Sequence, residues 1–239
     1  MSYYTIRDSL DTKIVGVYPQ ADEALYSCDV WSEPKFIDRV RFQKVDFLPI
    51  TAKAILKKKS KLTDLISAGN TGFSLKILVS GKLKLILENS RVNGFQFYRS
   101  PIIYKSKEIE DYWVLNFYKI DMQFIDFSLS EIFLTERTFT KVEKLAINNY
   151  TDYLEKKKEV ELKGYPYGIR VERFKLIEYP DQDFFALLDV EGGVKYIVSE
   201  RLKKEIEEAG CTGIEFMPTD LSLNEWLQGG ARERIYGKV

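Results

Sequence analysis

An internal repeat limits how this chain can fold more than any other feature. Residues 76–97 align without a gap on residues 195–216, at a constant offset of 119. The identical pairs are Lys76/Lys195, Val79/Val198, Ser80/Ser199, Leu83/Leu202, Lys84/Lys203, Glu88/Glu207, Gly94/Gly213 and Phe97/Phe216, eight in 22 positions. An ungapped match of this kind implies a duplicated supersecondary unit. In each copy a short apolar strand, residues 77–79 or 196–198, runs into a serine whose hydroxyl suits the N-cap of a helix. Leu202, Ile206 and Ala209 form one apolar stripe on the second helix. Gly210 stands where a left-handed residue ends it, and Ile214 and Phe216 alternate in the strand that follows. A crossover of this length returns the second strand parallel to the first.

The rest reads mainly as β. Residues 3–6, 13–17, 40–45, 112–118 and 184–188 have strand patterns, and Glu191-Gly192-Gly193 has the composition of a hairpin turn. Residues 142–147 and 153–162 have helix-like patterns rich in Lys and Glu. Gly164-Tyr165-Pro166-Tyr167-Gly168 reads as a turn and as a joint between halves. The expected fold class is α+β: mixed sheets with a duplicated strand–helix–strand unit at residues 76–97 and 195–216. The expected division is an N-terminal α+β half, residues 1–138, and a C-terminal α+β half, residues 139–239, packed as one globular unit because no low-complexity linker separates them.

Histidine is absent. That removes Ser-His-Asp and Cys-His catalysis and the histidine-containing zinc sites. The 36 basic and 36 acidic residues cancel, whereas a nucleic-acid binder usually carries a basic excess. Cys28 and Cys211 fit no metal spacing and read as reduced thiols. The N-terminus lacks the pattern of a signal peptide, and no stretch approaches the roughly 20 apolar residues of a membrane helix. A cytoplasmic protein is expected, with no membrane partner.

Phosphate-loop, dinucleotide and Cys-x-x-Cys motifs are missing. Asp181-Gln182-Asp183 has the spacing of a metal-binding carboxylate pair, but such triplets are common in surface turns, and the loop reading is preferred. Lys53, Lys57, Lys58, Lys59 and Lys61 are a candidate phosphate patch, with a solvated segment preferred. Lys156-Lys157-Lys158 between Glu155 and Glu159 reads as an exposed helix face. Glu108, Glu110 and Asp111 ahead of Tyr112-Trp113 are candidate partner contacts, with a core role preferred for Trp113. The pattern leaves open whether Trp31 and Trp226 are exposed.

Val198-Ser199-Glu200-Arg201-Leu202-Lys203, Ala209-Gly210 and Gly213-Ile214-Glu215-Phe216 resemble the C-terminal hallmark of bacterial immunity proteins of polymorphic toxin systems, in the α+β groups numbered eleventh and forty-third. The resemblance extends to Lys61-Leu62-Thr63-Asp64-Leu65, Val79-Ser80, Tyr112-Trp113, Ile125-Asp126-Phe127 and Tyr3-Tyr4. Gly81 departs from it, standing where an acidic residue is expected. The resemblance implies a non-enzymatic protein without cofactor or metal that binds and neutralises a cognate protein toxin. It assigns no contact residues. The alternatives are a carboxylate-based enzyme and a nucleic-acid-binding module on the Lys53–Lys61 segment.

Overall fold

The computed structural model describes residues 2–69, 72–137 and 139–238. In chain order the elements are β1 (Tyr3–Asp8), α1 (Thr12–Val15), β2 (Ala21–Leu25), β3 (Lys53–Leu56), β4 (Leu65–Ile66), β5 (Leu78–Ser80), α2 (Gly81–Ser90), β6 (Phe95–Arg99), β7 (Ile102–Tyr104), β8 (Lys107–Ile109) and β9 (Tyr112–Phe117). Then follow β10 (Glu131–Glu136), β11 (Thr140–Lys144), α3 (Tyr150–Lys163), β12 (Tyr167–Arg173), β13 (Phe184–Val190), β14 (Gly193–Ser199), α4 (Glu200–Glu208), β15 (Ile214–Pro218), α5 (Leu223–Leu227) and α6 (Ala231–Tyr236). The fold is α+β. Among the described residues the strands form a seven-stranded sheet, β11-β10-β12-β13-β14-β1-β15, and two four-stranded sheets, β2-β3-β7-β8 and β4-β5-β9-β6.

The chain forms two compact units. The first comprises Met1–Thr5, Ile120–Glu200 and Met217–Ile235; the second comprises Ile6–Lys119, Arg201–Phe216 and Tyr236–Val239. The division expected after Thr138, a residue outside those described, falls inside the first unit, between paired strands β10 and β11. The core of the first unit gathers Phe124, Phe127, Tyr153, Val171, Phe185 and Ile197, and that of the second Phe36, Ile37, Phe73, Leu78, Ile102 and Val114.

The duplication is longer than its identical residues. β4 pairs with β5 as Leu65↔Val79 and Ile66↔Leu78, and β13 pairs with β14 as Phe184↔Val198 and Phe185↔Ile197. The two registers coincide at the same offset, so the repeated unit begins with Asp64 and Asp183. In the earlier copy β9 lies between β5 and β6 and is antiparallel to both. In the later copy β1 is antiparallel to β14. The bonds from Thr219 N to Tyr3 O (3.2 Å) and from Ser9 N to Gly213 O (2.9 Å) run in opposite chain order, so β1 is antiparallel to β15 as well. Each crossover thus returns its strand parallel, around one inserted antiparallel strand, as in a split βαβ unit. The inserted strands begin alike: Tyr112 faces Ser80, and Tyr3 faces Ser199.

Several local expectations change. Residues 12–15 form a helical turn, capped by the Asp11 carboxylate accepting from Lys13 N at 2.8 Å, where a strand was expected. Residues 140–144 form strand β11 because pairing with β10 outweighs the helix-like pattern. Residues 40–45 are irregular loop. Ala209 is exposed beyond the last turn of α4. The turn at 164–168 joins α3 to β12 within the first unit. Glu191 and Gly192 both have positive φ, the geometry a tight hairpin turn requires.

Candidate functional site

Between β2 and β3, residues 26–50 contain no helix or strand, only an isolated bridge between Phe36 and Ile50. An irregular segment this long in a compact fold is usually functional, and order requires anchors for its backbone. Here they come from Lys76, two residues ahead of β5, and from the paired strand positions Asn116 and Gln96. Lys76 Nζ donates to Val40 O (2.8 Å), Asn116 Nδ2 to Gln43 O (2.9 Å) and Gln96 Nε2 to Val45 O (2.8 Å). Burial strips water from Lys76 and pulls its ammonium down to about 8; Asp38 opposes this and Arg41 adds to it. Phe36, Ile37 and Val40 fasten the segment into the core.

Trp31 stands on the outside of this anchored segment, 84% exposed. Its backbone is fixed even so. The Asp29 carboxylate accepts from Trp31 N at 3.0 Å and from the Ser32 hydroxyl at 2.6 Å, and the Arg39 guanidinium donates to Trp31 O. The hydrogen bond from Ser32 and those from the backbone hold the Asp29 carboxyl below its ordinary value. Leu48, 80% exposed, lies on the same segment. Trp226 is the opposite case, 1% exposed on α5. The Ser222/Glu225 capping box fixes the start of the helix that carries it.

The polar positions of the repeat are structural. The Ser80 hydroxyl accepts from Leu83 N (3.2 Å) and donates to Asp64 (2.7 Å), while Asp64 also accepts from Thr212 N (2.8 Å) and lies 3.3 Å from Lys82 Nζ. Ser199 donates likewise to Asp183, so Asp183 of the 181–183 triplet is spent on its own helix start. Among the described residues no group of three or more Asp, Glu, Cys or His is placed to hold a metal ion. Cys28 and Cys211 are free thiols pushed up by burial, Cys211 to about 11.

Gly81 has a physical reason. A Cβ there would lie 2.1 Å from Asp111 Oδ1. Gly81 N donates to Asp111 O (3.0 Å), as Glu200 N donates to Ser2 O (2.9 Å) in the later copy. The later copy has its acidic side chain at the helix start, on Glu200, and the earlier copy has it on Asp111, just ahead of β9. The other candidate acids are also engaged: Glu108 pairs with Lys53 at 2.6 Å and Glu110 with Arg99 at 3.6 Å. Trp113 is half-buried, with Lys84 Nζ 4.6 Å above its ring. Of the 53–61 lysines, Lys57 pairs with Asp22 (3.0 Å) and Lys61 bonds to Lys13 O (2.7 Å). Lys58 and Lys59 remain exposed. In the 156–158 run, Lys156 pairs with Glu159 (2.5 Å) and Lys157 reaches Asp189 (3.7 Å).

Asp189 and Glu161 line a cleft of about 320 Å³ in the first unit, with Tyr165, Tyr167 and Arg170. Burial pushes the Asp189 carboxyl above its ordinary value, the Lys157 charge partly offsetting it. No helix is long and apolar enough to cross a membrane, among the described residues. Compared with known proteins, the chain matches no family model and no curated protein.

Proposed function

We propose that this chain is an immunity protein, which binds and neutralises a cognate toxin of a bacterial polymorphic toxin system without catalysis. Trp31 carries the reading. A tryptophan held rigidly at the backbone and bare at the side chain has already met part of the ordering cost of binding, and it offers the largest apolar anchor available. The complete lack of histidine and the engagement of the repeat's serines and aspartates fit a protein that needs a surface rather than a reactive group. The resemblance of the 198–216 and 61–65 segments to immunity families names the kind of partner.

The test pairs the purified chain with the protein encoded beside its gene. A stoichiometric nanomolar complex that suppresses that protein's toxicity is expected, with Trp31→Ala weakening it at least tenfold. No complex and no protection would remove the proposal. A second reading, carboxylate chemistry on a nucleotide or sugar, is favoured by the raised Asp189 beside Glu161 in one cleft. It predicts loss of function in Asp189→Asn, whereas the immunity reading predicts full protection.

A further inference from the structure

After β12 the chain runs on as far as a bend at Glu178, and its backbone bonds on one side only. Lys175 O accepts from Asp126 N (2.8 Å), Lys175 N donates to the Ser130 hydroxyl (3.0 Å), and Ile177 N donates to Phe124 O (2.9 Å). Leu176 forms an antiparallel bridge with Ile125. Along an extended chain, alternate residues turn their N–H and C=O to opposite sides. Those of Phe174 and Leu176, and the N–H of Glu178, therefore face away from this neighbour, and among the described residues they have no hydrogen-bond partner. This is a three-residue open ladder.

The ladder borders a groove. Residues 174–178 line a depression of about 480 Å³ whose other wall is Ser2, Tyr3, Tyr4 and residues 218–220. It continues, through shared residues Phe174 and Lys175, into one of about 180 Å³, and through Glu172 and Arg173 into one of about 410 Å³. The charges along it are mixed: Lys141, Arg173 and Lys175 against Glu131, Glu178 and Asp220. A polyanion needs a track of one sign. Alternating charges beside exposed Phe139 and Leu129 suit a polypeptide.

We infer that the groove along residues 172–178 of the first unit takes an extended segment of a partner protein, which adds as a β-strand to the free N–H and C=O groups of Phe174 and Leu176 and to the N–H of Glu178. Main-chain bonds supply the affinity, and the flanking charges set the register. The inference rests on the binding-protein reading and adds a contact surface separate from Trp31.

The test pans a phage-displayed library of random ten-residue linear peptides on the full chain and synthesises the enriched sequences. Hydrogen exchange at the amides of Phe174, Leu176 and Glu178 should slow at least tenfold at saturation. Methylating peptide amides one at a time should cost at least tenfold at every second position and little between them. Glu178→Pro, at an exposed position, should weaken binding at least fivefold while leaving thermal unfolding in place. No enrichment, protection elsewhere, methylation losses without alternation, or a ten-residue thymidine oligonucleotide binding here in place of peptides would each overturn the inference. Panning needs no toxin, so the two readings fail separately. Toxin neutralisation that survives Glu178→Pro and every groove-blocking peptide removes the groove alone. Peptide addition without any neutralised toxin removes the immunity reading alone.

Discussion

The Asp64 carboxylate accepts from the Ser80 hydroxyl at 2.7 Å, across the same 16-residue separation that joins Asp183 to Ser199. Each pair ties the first strand of a repeat to the start of its helix. Ser80→Ala removes a helix cap and one partner of a mostly buried carboxylate, and should cost about 1–2 kcal/mol. A double-mutant cycle with Asp64→Ala should give a coupling of about 1 kcal/mol by urea unfolding. A coupling within experimental error of zero would mean that the pair is incidental.

Gly81 and Asp111 form an exchangeable set with Glu200 and Ser2. Gly81→Glu places a second carboxylate against Asp111 and should destabilise by about 1 kcal/mol, although replacing glycine in a helix is ordinarily favourable. Adding Asp111→Ser should restore most of the loss. If the single substitution stabilises, the close approach of Asp111 is not what keeps position 81 a glycine.

Asp189 lies in the left-handed region at φ 60° with a raised carboxyl pKa, and both features suit asparagine. A folded pKa above the unfolded one means that stability falls as pH rises through it. Asp189→Asn should therefore raise the melting temperature by about 2 °C at pH 7, and the advantage should shrink below about pH 4 to what the left-handed backbone alone gives. An advantage of equal size at pH 3 and pH 7 contradicts the electrostatic cause.

Glu225 behaves in the opposite sense. Hydrogen bonds from Ser222 N–H and its hydroxyl, and from Arg173, pull its carboxyl down to about 2. Its contribution is present above the unfolded value of about 4.3 and is lost as pH falls through about 2. An NMR titration of its side chain should show a midpoint near 2 in the native protein, and Ser222→Ala should raise it. A midpoint near 4 would contradict the capping geometry.

The repeat was legible because the residues that cap and pack its helices are chemically demanding. Ser80/Ser199, Leu83/Leu202 and Gly94/Gly213 are identical in the two copies. That a first strand belongs to the repeat was not legible, although residues 184–188 read as a strand, because Leu65 and Phe184 fill the same position with different shapes and β4 is two residues long where β13 is seven. The 26–50 segment misled for another reason. Val40 and Val45 carry a strand-like apolar pattern, but the Val40 carbonyl and both backbone groups of Val45 bond to the side chains of Lys76 and Gln96, which no periodicity reveals. Tertiary anchoring orders the backbone at Trp31, and a capping box sets the start of the helix that carries Trp226. Only the second could be read from adjacent residues, and neither told whether the indole is exposed.

The position of β1 has a consequence for synthesis. Tyr3, Tyr4 and Thr5 are synthesised long before their partners, for they pair with Ser199, Val198 and Ile197, and β1 also neighbours β15. At ribosomal elongation speeds β1 waits roughly 10–40 s for the segment that will receive it. Throughout that interval an aromatic strand has neither neighbour, so chaperone contact with the nascent chain should include Tyr3–Asp8.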